Sequence, residues 1–397
     1  MEPHTETPRA WLRDFLLTCG ARFGLFFAMF LIEPVFPVYL KNMGMSSFMI
    51  GVVMAAFPLG ATWIRPLVGA YIDRLGSKVF LVGGLTIFIT AATGYIWTGS
   101  VLVALLLRTY HGFGWSGCTT SIGTLVADIS PDHLRGTLIS YSGAVSTVAY
   151  SIAPAVAFKI VEWYGFPTVF ASGAAAAGFG LLSAVLIPSP AKAKPTPRRR
   201  RWFETFILPA SIMPAVSMGL LGISRGSIIA FLSLYALEMG GDPGIWFSVF
   251  AVAVVVGRPI FGPLSDRKGR PFVVIPTYLL ALVGMLVLVM ARSPMMLLVS
   301  AAILGFGYGS VHAALMTMAV DLAPRDRWGL SMAQYHLFYD LAIGGGGVLA
   351  GIMLNFTGNN YPAMFLATTV VGLGGFVLFL VKHRAAGRAT LTPGNPQ

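Results

Sequence analysis

Long apolar runs, interrupted at nearly regular intervals by short polar segments, dominate this chain. Twelve of them are long enough to cross a bilayer as helices, which takes roughly 20 residues at about 1.5 Å each. They fall at 14–40, 46–72, 79–97, 100–128, 136–161, 166–187, 207–238, 245–265, 272–291, 294–321, 329–356 and 361–381. The runs lack two-residue alternation and are too long for barrel strands, so the pattern predicts an all-α membrane protein. The third, sixth, ninth and twelfth runs contain no Asp, Glu, Lys, Arg or His, so they can face lipid all round and are expected to be the outer helices. The first, fourth, seventh, tenth and eleventh carry ionisable residues at membrane depth. Such groups are expensive in hydrocarbon, so these helices are expected to line the interior.

The pattern also repeats. Arg65-Pro66-x-x-Gly69-x-x-x-Asp73-Arg74-x-Gly76 recurs as Arg258-Pro259-x-x-Gly262-x-x-x-Asp266-Arg267-x-Gly269. The same shift carries Gly112-Phe113-Gly114 onto Gly305-Phe306-Gly307, and Asp128-x-x-Pro131 onto Asp321-x-x-Pro324. One fixed offset predicts twelve transmembrane helices built as two pseudo-symmetric six-helix bundles, an organisation that places a transporter's site between its repeats. The expected parts are an N-terminal segment 1–13, a bundle 14–187, a basic linker 188–206, a bundle 207–381 and a polar tail 382–397.

Composition agrees. Of 397 residues, 56% are hydrophobic and 11% charged, against about 25% charged in soluble domains. The mean hydropathy is +0.77. The net charge of +12 reflects sidedness and does not imply a nucleic-acid partner. About 19 Lys and Arg fall on the side of the termini and about three (Lys41, Lys159, Arg292) on the other, which orients both termini to the cytoplasm. The linker, with Lys192, Lys194 and Arg198 to Arg201, obeys the same rule. Cys19 and Cys118 lie in apolar runs and read as small core residues. The first run is too long for a secretory leader and lacks a processing site.

The loop Gly69-x-x-x-Asp73-Arg74-x-Gly76-x-Lys78, its repeat ending in Arg270, and the span-four sequence Arg108-x-x-His111-Gly112-x-Gly114 resemble the major facilitator superfamily, in particular its drug–proton antiporter branch and related bacterial efflux permeases. The likeness runs from Trp11 to about Val381. The chain departs with Tyr71 where that family prefers Leu, Ser77 where it prefers Arg, and His111 where it usually has Gln. The glycine series of span five is replaced by Ser140, Ala149, Ala153-Pro154 and Ala157. The resemblance implies a multi-pass transporter of the bacterial inner membrane that works by alternating access. It also implies a cytoplasmic ion-pair latch, formed by Asp73, Arg74, Lys78 and Asp128 in one half and Asp266, Arg267, Arg270 and Asp321 in the other, that stabilises the outward-facing state.

Charges that break the repeat mark the candidate site. Arg108 and His111 map onto Ala301 and Leu304, while His336 and Asp340 map onto Gly143 and Thr147. In a continuous first helix, Arg22 stands about 12 Å above the inner end and Glu33 about 10 Å below the outer end, level with Arg108. A Glu33–Arg108 pair is therefore expected. Asp340 and Arg225 fall near mid-depth, and His336 and Asp340 share a helix face. Glu33 and Asp340 are the expected proton carriers, tuned by Arg108 and His336. Arg22, His111, Arg225 and His312 are expected at the substrate cavity. A metal held by His312, His336 and Asp340 is not expected. Gly112-x-Gly114-x-x-Gly117 formally matches a dinucleotide fingerprint but has no preceding strand. The run Gly344–Gly347 reads as tight helix packing.

The expected function is proton-coupled export of a small anionic or zwitterionic amphiphile. Organic-anion import and lipid-head-group flipping are the alternatives within the fold. An intramembrane enzyme would need a nucleophile–base pair or a metal cluster, and only the histidine set offers either. The expected partners are a small-molecule substrate and membrane lipid, with the protein acting as a monomer. No cofactor is expected beyond the proton gradient.

Overall fold

A computed structural model describes residues 8–131, 134–188, 208–324 and 327–389. Among them there is no strand, and the helices are α1 (Pro8–Ile32), α2 (Phe36–Asn42), α3 (Ser47–Leu75), α4 (Ser77–Tyr95), α5 (Val101–Ile129), α6 (Arg135–Tyr164), α7 (Phe166–Leu186), α8 (Ile212–Glu238), α9 (Pro243–Lys268), α10 (Arg270–Val289), α11 (Pro294–Asp321), α12 (Trp328–Phe356) and α13 (Tyr361–Ala389). A 3-10 turn, Pro209–Ser211, leads into α8.

Two compact units result. One contains α1 to α7 with residues 243–248; the other contains α8, the rest of α9, and α10 to α13. Their internal packing is alike. In the first, α1 packs on α6 and α7, and α4 on α5 and α7; in the second, α8 packs on α12 and α13, and α10 on α11 and α13. The repeat explains the likeness at atomic detail. A Cβ on Gly112 would stand 2.3 Å from Phe57 O, and one on Gly305 would stand 2.2 Å from Phe250 O. Phe57 and Phe250 differ by the same 193 positions as the two glycines. The same helix crossing is thus built twice, and the formal dinucleotide glycines are packing residues. Ser100 and Ser293 repeat as well, each accepting from the backbone three residues on at 3.3 Å to start α5 and α11.

The structure corrects the first run and adds detail elsewhere. The first run is not one helix: α1 ends at Ile32 and the short α2 begins at Phe36. Pro34 has no N–H to donate and disfavours helical geometry in the residue before it. Glu33 therefore sits on the connecting turn, its backbone N–H still bonded to Met29 O at 2.8 Å. The charge-free α7 is outward on one face and buried on the other. In α7, Phe179, Leu182 and Leu186 point out while Gly173, Ala177 and Gly180 are buried. One face of that helix closes on α1 so tightly that a Cβ on Gly24 would stand 2.5 Å from Ala176 O. Among the described residues, eleven helical spans are long and apolar enough to cross a membrane. The twelfth, α5, has the length, but Arg108, His111 and a row of Ser, Thr and Gly dilute its apolarity. Finally, α1 begins at Pro8 and α13 runs on to Ala389. The linker's Lys192, Lys194 and Arg198 to Arg201 lie outside the described residues.

Candidate functional site

Each half carries an arginine deep in its helices, and each lies on aromatic rings. In the first half Arg108, on α5, is 1% exposed. Its guanidinium lies 4.9 Å from the ring centres of both Phe36 and Phe57. Its Nη2 donates to Met54 Sδ at 3.8 Å, while Nε and Nη1 have no hydrogen-bond partner. Cation–ring contacts return about 2 kcal/mol when desolvated. They do not satisfy N–H donors, and a buried unpaired donor costs about 1–3 kcal/mol, more when charged. One turn on, His111 is wholly buried. Phe57, Phe88 and Tyr95 close round it, with ring centres at 5.3, 4.0 and 5.7 Å. Its Nδ1 meets Tyr95 Oη at 3.0 Å, and its Nε2 has no hydrogen-bond partner. His111, expected on a cavity wall, is therefore enclosed by rings.

In the second half Arg225, on α8, lies 4.6 Å from the ring centre of Phe250 and 5.9 Å from that of Tyr308. Phe250 is the repeat partner of Phe57, so the same aromatic position holds an arginine in both halves, supplied by α5 in one and by α8 in the other. Position-by-position comparison of the repeats misses this, because Arg108 and Arg225 are not equivalent residues. Tyr308 continues the polar group, its Oη 3.4 Å from Tyr339 Oη. His312 stands against Tyr339 at 4.9 Å, Tyr335 at 5.5 Å and His336 at 6.4 Å between ring centres. His336 and Asp340 occupy successive turns of α12, both half-buried. Among the described residues, no group of three or more His, Cys, Asp or Glu is arranged to hold a metal ion.

Arg22 is brought to a third place. Its Nη1 donates to Ser142 Oγ at 3.0 Å and its Nε to Ser146 Oγ, which ties α1 to α6. The sequence indicates a buried cation there but does not reveal its neutral partners, since two serines on one helix face carry no distinguishing signal.

The latch residues divide. In the second half Arg270 holds both acids: Nε donates to Asp321 Oδ2 at 2.8 Å and Nη1 to Asp266 Oδ1. Arg267 is exposed. In the first half the position equivalent to Arg270 is Ser77, and the next residue, Lys78, donates to the final carbonyls of α7, Ile187 O at 2.5 Å and Val185 O at 2.8 Å. A serine carries no cation to span two carboxylates, and helix C-terminal carbonyls attract the neighbouring lysine. Arg74 lies 6.0 Å from the ring centre of Tyr71. Asp128 is exposed near the end of α5; the side chain of Asp73 lies outside the described part.

Two pseudo-repeated bundles of long apolar helices with arginines buried in them define a multi-pass α-helical membrane protein. The chain belongs to the major facilitator superfamily, whose profile matches residues 18–243 and 214–396. It is 28% identical over 363 residues to an uncharacterized MFS-type transporter, YhhS, of Escherichia coli K12, covering 87% of this chain and 86% of that one. It is 24% identical over 383 residues to the quinolone resistance protein NorA of Staphylococcus aureus, covering 91% and 95%. Among solved structures, the nucleoside transporter NupG superposes with a TM-score of 0.80 at 13% identity, over 93% of this chain and 99% of that one.

Proposed function

We propose that this protein is a proton-coupled exporter of small anionic or zwitterionic amphiphiles, working by alternating access in a bacterial inner membrane with both termini in the cytoplasm. The observation that carries the reading is the set of ionisable groups kept inside membrane helices at positions where the other half has none: Arg108 and His111 on α5, and His336 and Asp340 on α12. Such groups mark substrate and proton pathways by default. Similarity to a quinolone resistance protein favours efflux and suggests a zwitterionic drug as cargo. Glu33 and Asp340 carry the proton in this reading. A carboxyl whose cationic neighbour is engaged by cargo binds a proton more readily, and the exchange follows from that competition.

Proteoliposomes containing trapped pyranine test it, with norfloxacin as the added compound. Wild-type protein moves protons when norfloxacin is added, and Glu33→Gln and Asp340→Asn lose that response. Proton movement retained in both variants rules out these carriers.

A further inference from the structure

The Arg108 cluster keeps buried donors that the fold does not use, and their chemistry selects a ligand. We infer that Arg108 and His111 bind the carboxylate of an aromatic cargo. The inference deepens the export reading and rests on it for the assumption that cargo reaches this half of the protein.

Arg108 and His111 are three residues apart on α5 and so lie on one side of it. They are 1% and 0% exposed. Nε and Nη1 of the arginine, and Nε2 of the histidine, have no hydrogen-bond partner. Shared rings bring these groups together: Phe57 touches both side chains, and Phe36 touches Arg108 and Tyr95, the latter at 4.6 Å between ring centres. When Tyr95 donates its O–H to Nδ1 at 3.0 Å, the neutral imidazole carries its proton on Nε2. The cluster then offers donors from a fixed cation and a neutral ring. An anion satisfies them; a cation is repelled.

The acceptor at Nη2, Met54 Sδ at 3.8 Å, is a weak one on a flexible side chain. A carboxylate is a far stronger acceptor and displaces it. The planar guanidinium suits a planar carboxylate, and the rings of Phe36, Phe57 and Phe88 suit an aromatic body. The anionic group can come from cargo or from a free ion, and the experiment separates the two.

Isothermal titration of the full-length protein in detergent uses 2-naphthoate as probe, 2-naphthamide as its uncharged counterpart, and chloride as the free ion. Naphthoate is expected to bind at least about tenfold more tightly than naphthamide, as for hydrogen bonds to a charged group. Arg108→Gln should lose that margin, and His111→Gln should lose about threefold. If Arg108→Gln fails to fold, Arg108→Lys, which keeps the charge without the planar donors, should still weaken naphthoate severalfold. Equal binding of naphthoate and naphthamide, no naphthoate binding, or unchanged naphthoate affinity in both Arg108→Lys and His111→Gln overturns the inference. Chloride binding in place of naphthoate also overturns it, by assigning the cluster to a free ion. Norfloxacin-driven proton movement that persists through any of these results leaves the export reading standing alone.

Discussion

At Gly76 and Gly269 the chain reverses between helices with φ of +90° and +89°. With ψ of 147° and 155° these lie in backbone space that only glycine enters cheaply, at about 1–3 kcal/mol for other residues. Nothing stands within 4 Å of a Cβ on Gly76, so the cost there is purely conformational. Gly76→Ala and Gly269→Ala should each lower the thermal midpoint in detergent, and by similar amounts, since the turn is the same turn. An unaltered midpoint in either would contradict this. The latch beside Gly269 is a different case. Asp266 and Asp321 are 68% and 49% exposed, and exposed pairs contribute about 0–1 kcal/mol. Arg270→Lys should therefore cost little stability. The part of the salt dependence of unfolding that comes from this latch should shrink, because one ammonium cannot hold two carboxylates in the guanidinium's geometry. Melting curves at low and high salt check that outcome. The need for Gly and Asp at these positions was legible from the repeat. The contact of Lys78 with the end of α7 was not, because backbone carbonyls leave no mark in a sequence.

Among the elements, α8 and α12 approach closely at their glycines. A Cβ on Gly226 would stand 2.1 Å from Ile343 O, and one on Gly346 would stand 2.2 Å from Ile223 O. A Cβ on Gly345 meets nothing within 4 Å. Gly346→Val should abolish or sharply reduce folded yield, by separating two helices that pack backbone to backbone. Gly345→Ala should be neutral or slightly stabilising, as glycine is the poorer helix former by about 1 kcal/mol. Yield and monodispersity on size exclusion separate the two. The run Gly344–Gly347 marked this crossing in the sequence, but only the fold shows which glycine is essential. Gln334 makes a similar point. It accepts from Leu208 N at 2.6 Å and donates to Leu208 O at 3.3 Å, fixing the entry to α8. Gln334→Ala should cost about 1–3 kcal/mol by leaving a buried N–H unpaired, read as a lowered thermal midpoint. Apolar run lengths gave no hint of that bond. They also concealed the break at Pro34, since Phe36 to Leu40 is as apolar as a helix interior.

For the molecule as a whole, one offset of 193 positions carried most of what could be read: two halves, the turns, the helix starts and the glycine crossings. Charges that violate the offset marked Arg108, His111, His336 and Asp340. The aromatic seats under the arginines were hidden for a physical reason. Phe57 and Phe250 obey the repeat, as packing residues do, and their second role appears only when an arginine from α5 or α8 lies on the ring. Those buried cations, with carboxyl groups at Glu33 and Asp340, are the basis of the exchange reading, and the direction of flux tests it most directly. In inside-out vesicles, norfloxacin should accumulate when the lumen is acidic. It should fail to accumulate when the gradient is abolished, and leave preloaded vesicles when the lumen is made alkaline. Equal uptake under acidic and alkaline lumens would contradict proton-coupled export.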